Sequence, residues 1–335
     1  MIRIFDSSLN FLGFLDIFNS FQCSQKYADV GSFSIKALMT DKTKELLKAG
    51  NFISYKDFAG IIDSVQITEE AGSYPIISAS GYDLVGLLLS RIIWTDTYYS
   101  GKSEEFLRKM VDENAINPTD TNRIIPFLAL GDLSGLPQTT ERNTENETLL
   151  AECQKVCRVA DYGFSIGLDI NQKQMKFKVY QGEDRTAGQP HQVIIGKEFD
   201  NVQTQDYTYS NKDEITTVLV KAEEASVSVG ADAAGFNRKE TVVKSSKKQE
   251  ELTESQFSNV LISEGKEKLN SITECFDIDI YNASLTVGDL VTVRDKSWSI
   301  TFNTRVTEKQ TALQSGVETI TYLLGNDITL TEVKR

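Results

Sequence analysis

The sequence predicts an α+β, mainly β fold. It divides into two related antiparallel β-barrel domains, at 1–90 and 191–335, with an inserted α/β module at 91–190. Three observations carry this. Apolar and polar residues alternate through the first 80 residues, the period of a half-buried strand. From 82 to about 190 the period changes to that of amphipathic helices followed by a hairpin. From Glu214 the β pattern resumes, and part of it repeats the first region.

The opening Met1-Ile-Arg-Ile-Phe-Asp6 reads as a strand, as do Phe33, Ile35 and Ala37 alternating with Ser32, Ser34 and Lys36. Thr40 is the expected N-cap of a short helix stopped by Gly50. Strands are expected at Phe52–Tyr55, Gly60–Thr68 and Tyr74–Ser80, closing a small barrel. Leu84, Val85 and Leu87–Leu89 then make a short apolar helix. Ser103 is placed to cap a second one that buries Phe106, Leu107, Met110 and Val111. A third helix, from about Asn146 to Asp161, carries the stripe Leu149, Leu150, Cys153, Val156, Cys157 and Ala160, with Gly163 ending it. A hairpin follows, Phe164–Ile170 turning at Asn171-Gln172 into Met175, Phe177 and Val179.

Ser226–Lys248 is rich in Gly, Ala, Ser and Lys and reads as a flexible hairpin or loop (226–250). Its end is basic, with Arg238, Lys239, Lys244, Lys247 and Lys248 against Glu240 and Glu250. That charge suits either a solvated loop or a docking surface for an acidic partner. A long helix is expected at 254–272, then strands at Phe276–Tyr281, Leu290–Arg294, Trp298–Thr307 and Val317–Leu324. All five prolines precede residue 191, so none interrupts these strands.

The repeat is the most informative feature. Gly50-Asn-Phe-Ile-Ser-Tyr-Lys-Asp57 resembles Gly288-Asp-Leu-Val-Thr-Val-Arg-Asp295. Each continues as an alternating strand to Thr-Glu, at Thr68-Glu69 and Thr307-Glu308, and turns into a last strand closed by Gly81 or Gly325. Three chains of two barrels would present six similar units about a three-fold axis, a geometry suited to sitting on a six-fold ring.

Composition narrows the chemistry. The 335 residues carry 35 basic and 48 acidic side chains, a net −13, with one histidine and four cysteines. A histidine-rich zinc site cannot be built, and any Ser-His-Asp or Cys-His site would have to use His191, which sits in a polar turn-like Gln-Pro-His-Gln. Cys153 and Cys157, four apart on one helix face, read as small core residues rather than a metal or redox pair. Asp277 shares a strand face with Asp279, opposite Phe276, Ile278 and Ile280, as a solvated face and not an acid/base pair. Asp169 also lies on an alternating strand, in Gly-Leu-Asp-Ile. Gly230-Ala-Asp-Ala-Ala-Gly235 lacks the lysine and strand-to-helix setting of a phosphate loop, and the sequons at Asn146 and Asn282 carry no meaning without secretion. The expected site list is therefore empty: no catalytic, cofactor-binding or metal residues, and no cofactor. The N-terminus lacks the pattern of a signal peptide and no apolar run reaches membrane-spanning length, so a soluble protein made in the host cytoplasm is expected. Net acidity argues against specific nucleic-acid binding.

Several blocks in order resemble the tail hub proteins of siphoviruses and prophages, late control protein D-like hubs among them: Ser80-Gly-Tyr-Asp-Leu-Val-Gly-Leu-Leu-Leu-Ser-Arg-Ile-Ile93, then Ser103–Asn114, Gly235-Phe-Asn-Arg-Lys-Glu240, Gly265-Lys-Glu-Lys-Leu269 and Val287–Val293. The group includes hubs of bacteriocin-type contractile tails. The resemblance implies a homotrimer forming a pseudo-six-fold ring that joins the tail tube to a central spike and encloses a passage. Its implied partners are the tube protein, the spike, other baseplate proteins and a tape-measure protein. An acidic wall would repel DNA or a like-charged polypeptide. The chain stops soon after its last barrel strand, which favours a bare hub and leans toward a contractile particle. Two other readings stay open. A cell-wall hydrolase would use the 96–190 insert. A glycan-binding adhesin would use Trp94, Tyr98 and Tyr99, although Trp94 reads better as core and the tyrosines as flanking a turn.

Overall fold

The computed structural model describes residues 1–144, 146–223, 225–249, 252–280 and 284–325. The chain begins with β1 (Ile2–Phe5), β2 (Phe11–Leu15), β3 (Ser20–Lys26), β4 (Ser32–Leu38) and α1 (Asp41–Leu46), followed by β5 (Phe52–Tyr55), β6 (Phe58–Ile61), β7 (Ser64–Thr68) and β8 (Ile76–Tyr82). Thr40 caps α1 in a reciprocal box with Thr43. The expected strand Gly60–Thr68 is two strands, because Ile62 leaves the ladder: its N–H donates to the Asn51 carbonyl (2.9 Å) and its carbonyl accepts from the Gly50 N–H (2.8 Å).

The insert carries a 3-10 turn at Leu84–Ser90, then β9 (Thr97–Lys102), α2 (Ser103–Val111), β10 (Leu128–Leu130), β11 (Thr139–Thr144), α3 (Leu149–Ala160), β12 (Gly163–Asp169) and β13 (Gln174–Tyr180). The predicted helix stripes are buried. Their ends differ from expectation. Ser103 is the first residue of α2, its buried hydroxyl has no hydrogen-bond partner, and Lys102 occupies the cap position. Thr148 caps α3, which ends on Asp161 in the left-handed region (φ 56°). Gly163 instead opens β12, where a Cβ would lie 2.3 Å from the Tyr27 ring.

The last third holds β14 (Ile194–Ile195), β15 (Val202–Ser210), β16 (Thr217–Lys221), β17 (Ser226–Gly230), β18 (Glu240–Lys244), α4 (Glu254–Lys268), β19 (Thr273–Ile280), β20 (Leu290–Asp295), β21 (Ile300–Gln314) and β22 (Val317–Gly325). The segment expected to be a flexible hairpin or loop between 226 and 250 contributes two strands, which pair with β16 and not with each other. β17 and β18 flank β16 in a small sheet, and α4 packs Phe257 and Leu261 onto its Val218 and Val220. Gly265 permits this approach, since a Cβ there would meet Val229 at 2.6 Å. The helix stops at Lys268, four residues short of expectation, because Asn270 exchanges both backbone hydrogen bonds with Ile215. Trp298 lies in the turn before β21, with its N–H donating to Asp295 Oδ1 (3.0 Å). Asn282 and the Asp279 side chain lie outside the described residues.

Eight strands form one continuous run in the order β15-β19-β22-β21-β3-β4-β8-β7. This is one four-strand order written twice. β15-β19-β22-β21 matches β3-β4-β8-β7, with Phe276 and Ile278 in the places of Phe33 and Ile35. The backbone repeats the same hydrogen-bond pattern. Gly288 N–H donates to Val306 O and Val306 N–H to Asp289 O (both 2.8 Å), as Gly50, Ile62 and Asn51 do in the first half. Phe52 pairs with Ile61 as Leu290 pairs with Arg305. The Thr-Glu match does not survive, because this pairing sets Asp63, not Thr68, in the place of Thr307. The closing glycines are also offset by one: Gly81 faces Phe33, whereas Gly325 faces Cys275, next to Phe276.

Candidate assembly interface

The two repeats join within the chain where β21 lies antiparallel to β3, pairing Lys309 with Gln25, Gln310 with Ser24 and Thr311 with Cys23. Thr311 and Cys23 are buried there, each 7% exposed. The outer strands of the run have no such neighbour among the described residues: β7 pairs only with β8, and β15 only with β19. Both carry apolar groups on the core-facing side of the sheet. Ile67 is 48% exposed beside the buried Ile77, and Tyr209 is 59% exposed. Tyr207 packs its ring on Phe276 at 4.9 Å and hydrogen-bonds Glu274. A sheet edge with unpaired backbone and apolar side chains is a template for another strand.

The middle of the opposite face of the run is built from small polar groups, with the apolar Leu38, Ile76 and Val317 at strand ends. Ser20, Gln22 and Ser24 of β3, Ser32 and Ser34 of β4, Ser78 and Ser80 of β8, Gln310 of β21, and Thr319 and Thr321 of β22 share it. Charged members are few, among them Lys36, Asp206, Asp277 and Glu308. Gln22, Ser24, Ser34, Gln310 and Thr321 line a shallow depression in this face. The core-facing side of the first half is covered by the four-strand sheet β2-β1-β5-β6, whose Ile2, Ile4 and Ile53 join Phe21, Phe33 and Ile35 in one cluster, and that of the second half packs on Ile195, Val291 and Val293 of β14 and β20.

The residues weighed in the sequence lie apart. His191 is exposed, with Nδ1 3.0 Å from Glu183 Oε1. Cys153 and Cys157 are buried in the core around α3, where burial raises both thiols. Trp94 is not core: it is 57% exposed, and the Arg123 guanidinium stacks 4.0 Å above it. Tyr98 and Tyr99 do not flank a turn but lie on β9, paired with β11, their hydroxyls donating to Glu141 (2.5 Å) and Lys102 O (3.2 Å). In the basic stretch, Arg238 pairs with Glu240 (2.6 Å) and Lys239 with Glu214 (3.2 Å). Asp169 pairs with Lys176. The chain turns from β17 into the 3-10 turn at Gly235. The edge strand β15 was missed in the sequence, although Tyr207 and Tyr209 alternating with polar residues is a strand signal.

One buried network ties the insert to α4. Arg142 of β11 binds Glu152 of α3 (2.5 Å) and Glu267 of α4.

The sequence pattern of the Siphovirus ReqiPepy6 Gp37-like proteins matches residues 1–326. The chain belongs to that family. No curated protein matches. Three solved structures are similar to this Gp37-like chain over nearly their whole length, each with TM-score 0.59. A tail protein from Neisseria meningitidis MC58 is 13% identical, covering 97% of this chain and 96% of its own. The prophage tail protein gp18 from Listeria monocytogenes EGD-e is 11% identical (98% and 95%). The 43 kDa tail protein of prophage MuSo2 from Shewanella oneidensis is 13% identical (96% and 97%). At these identities the likeness is one of fold, and that fold is the mainly β one expected. Among the described residues no helix of the Gp37-like chain is long and apolar enough to cross a membrane.

Proposed function

We propose that this chain is a structural hub of a phage tail or phage-tail-like baseplate. In this reading it is a homotrimer whose six repeats form a pseudo-six-fold ring between the tail tube and a central spike. The observation that carries it is the repeated four-strand order with two open edges. β21 on β3 joins repeats within a chain, and β7 on β15 would join them between chains until a ring closes. The sheet face left uncovered would line the passage. Its hydroxyl and amide groups, not the net −13, would then be what a passing polymer meets. The divisions 1–90, 91–190 and 191–335 follow as repeat, insert and repeat. The tube protein, the spike, other baseplate proteins and a tape-measure protein are the partners of this reading, and the assembled tail its location after synthesis in the host cytoplasm.

The role is non-enzymatic. Carboxylates of the insert are engaged structurally, Glu152 by Arg142 and Glu147 by Lys155. The exposed Trp94 favours the adhesin as second reading. Light scattering on the purified chain tests the hub: a mass of three 37.4 kDa protomers supports it. A persistent monomer, or hydrolysis of purified cell walls at catalytic protein levels, would overturn it. Glycan binding abolished by Trp94→Ala would support the adhesin.

A further inference from the structure

We infer the residue register of the contact between protomers, which rests on the ring reading above. The joint inside the chain is the template. Through the shared pairing of Phe33 and Phe276, Cys23 of β3 takes the place of Tyr207 of β15, and Ser24 that of Thr208. Through the pairing of Ala79 and Tyr322, Lys309 of β21 takes the place of Val65 of β7, so Gln310 matches Gln66 and Thr311 matches Ile67. Transferring the β21–β3 register then sets Ile67 opposite Tyr207, Val65 opposite Tyr209 and Gln66 opposite Thr208 of a second copy.

The chemistry fits this register. Because side chains alternate, Val65, Ile67, Tyr207 and Tyr209 all fall on the core-facing side, and Gln66 and Thr208 on the polar side. A slip of one residue would set apolar side chains against polar ones. The contact buries the aliphatic Ile67 beside the Tyr207 ring, an aromatic against β-branched pair across strands. Thr311 and Cys23, the corresponding pair inside the chain, are already buried. The occupant of each edge is thus a second copy of this chain, head to tail.

The test is disulfide trapping in a Cys275→Ser background, since Cys275 faces Thr208 across β19. Gln66→Cys with Thr208→Cys brings two thiols opposite each other, within the Cα separation a disulfide accepts. Mild oxidation should give covalent dimers and trimers on a non-reducing gel. Gln66→Cys with Asp206→Cys, two residues out of register, should not. Ser24→Cys with Gln310→Cys calibrates the method by closing within one chain. A trimer by light scattering that links through Asp206, or through neither pair, overturns the register while the ring stands. A chain that stays monomeric and unlinked at every concentration overturns the ring and the register together.

Discussion

Arg305 holds the Asp161 carboxylate at both oxygens, with Nε 3.0 Å from Oδ1, while its guanidinium lies 4.9 Å over the Tyr27 ring. One side chain of β21 thereby fastens the end of α3 to Tyr27, the residue that follows β3. Arg305 is nearly buried, 8% exposed, and Asp161 is 61% exposed. The two ends of the pair should therefore respond unequally. Arg305→Ala removes charge-assisted hydrogen bonds and packing from a dry site and should cost about 2–3 kcal/mol in urea unfolding. Asp161→Asn keeps a residue that tolerates positive φ and loses only a half-solvated charge, for about 1 kcal/mol or less. Equal losses would show that the contact is not organised around Arg305.

Tyr27 also sets a steric limit. A Cβ on Gly163 would meet its ring at 2.3–2.4 Å and its backbone carbonyl at 2.7 Å, with no flexible end to give way. Gly163→Ala should lower stability by about 3 kcal/mol through overpacking, a drop readable by thermal melting.

Asp83 is the N-cap of the turn Leu84–Ser90, and burial pushes its carboxyl up to about 7 against backbone hydrogen bonds that pull it down. Between the ordinary carboxylate range and pH 7 the folded chain therefore holds a proton that the unfolded chain has lost. This contribution is fully present below pH 4 and disappears as pH rises through 7, at up to about 1.4 kcal/mol per pH unit. Asparagine caps helices as well as aspartate does. Asp83→Asn should therefore raise the urea midpoint most at pH 8, less at pH 5, and leave it nearly unchanged at pH 3.5.

Ile67 offers a test of the open edge that leaves the core alone. Ile67→Arg places a charge on an exposed edge position, a device that blocks strand addition. The variant should keep the melting temperature of the isolated protomer and lose trimer mass in light scattering. A trimer of undiminished mass would move the contact elsewhere.

The sparsely charged sheet face gives a prediction in the assembled state. The trimer should bind single-stranded DNA weakly by fluorescence anisotropy. Gln22→Lys with Ser34→Lys would point lysines from every protomer into one passage, and binding should strengthen with a steep salt dependence. The same two charges added at the exposed Asn171 and Gln189 should do far less.

Local chemistry made much of this fold legible. Thr40 announced its helix, the stripe from Leu149 to Ala160 announced α3, and Gly50-Asn51 beside Gly288-Asp289 announced the duplication. What escaped was decided by tertiary partners. The break at Ile62 depends on two hydrogen bonds from a strand start eleven residues earlier. The strands β17 and β18 lie in a composition that reads as loop, and form because β16 and α4 supply a surface for their alternate valines. Trp94 has an apolar neighbourhood in sequence but meets Arg123 at the surface. The open edges had no sequence signal, since a strand does not record whether it has a second neighbour.

The joint between β21 and β3 also orders events during synthesis. Its strands lie roughly 280 residues apart, so the β3 edge stays open until β21 has been made, a late and entropically costly closure. Until then β3 accepts anything shaped like β21, and β7 of another nascent chain has that shape. If the proposed ring contact is right, repeats made by neighbouring ribosomes would join head to tail before the proper strand arrives. In the ring proposed above, where the contact between copies reproduces the contact within one, β21 must reach β3 before the β7 of a neighbour does.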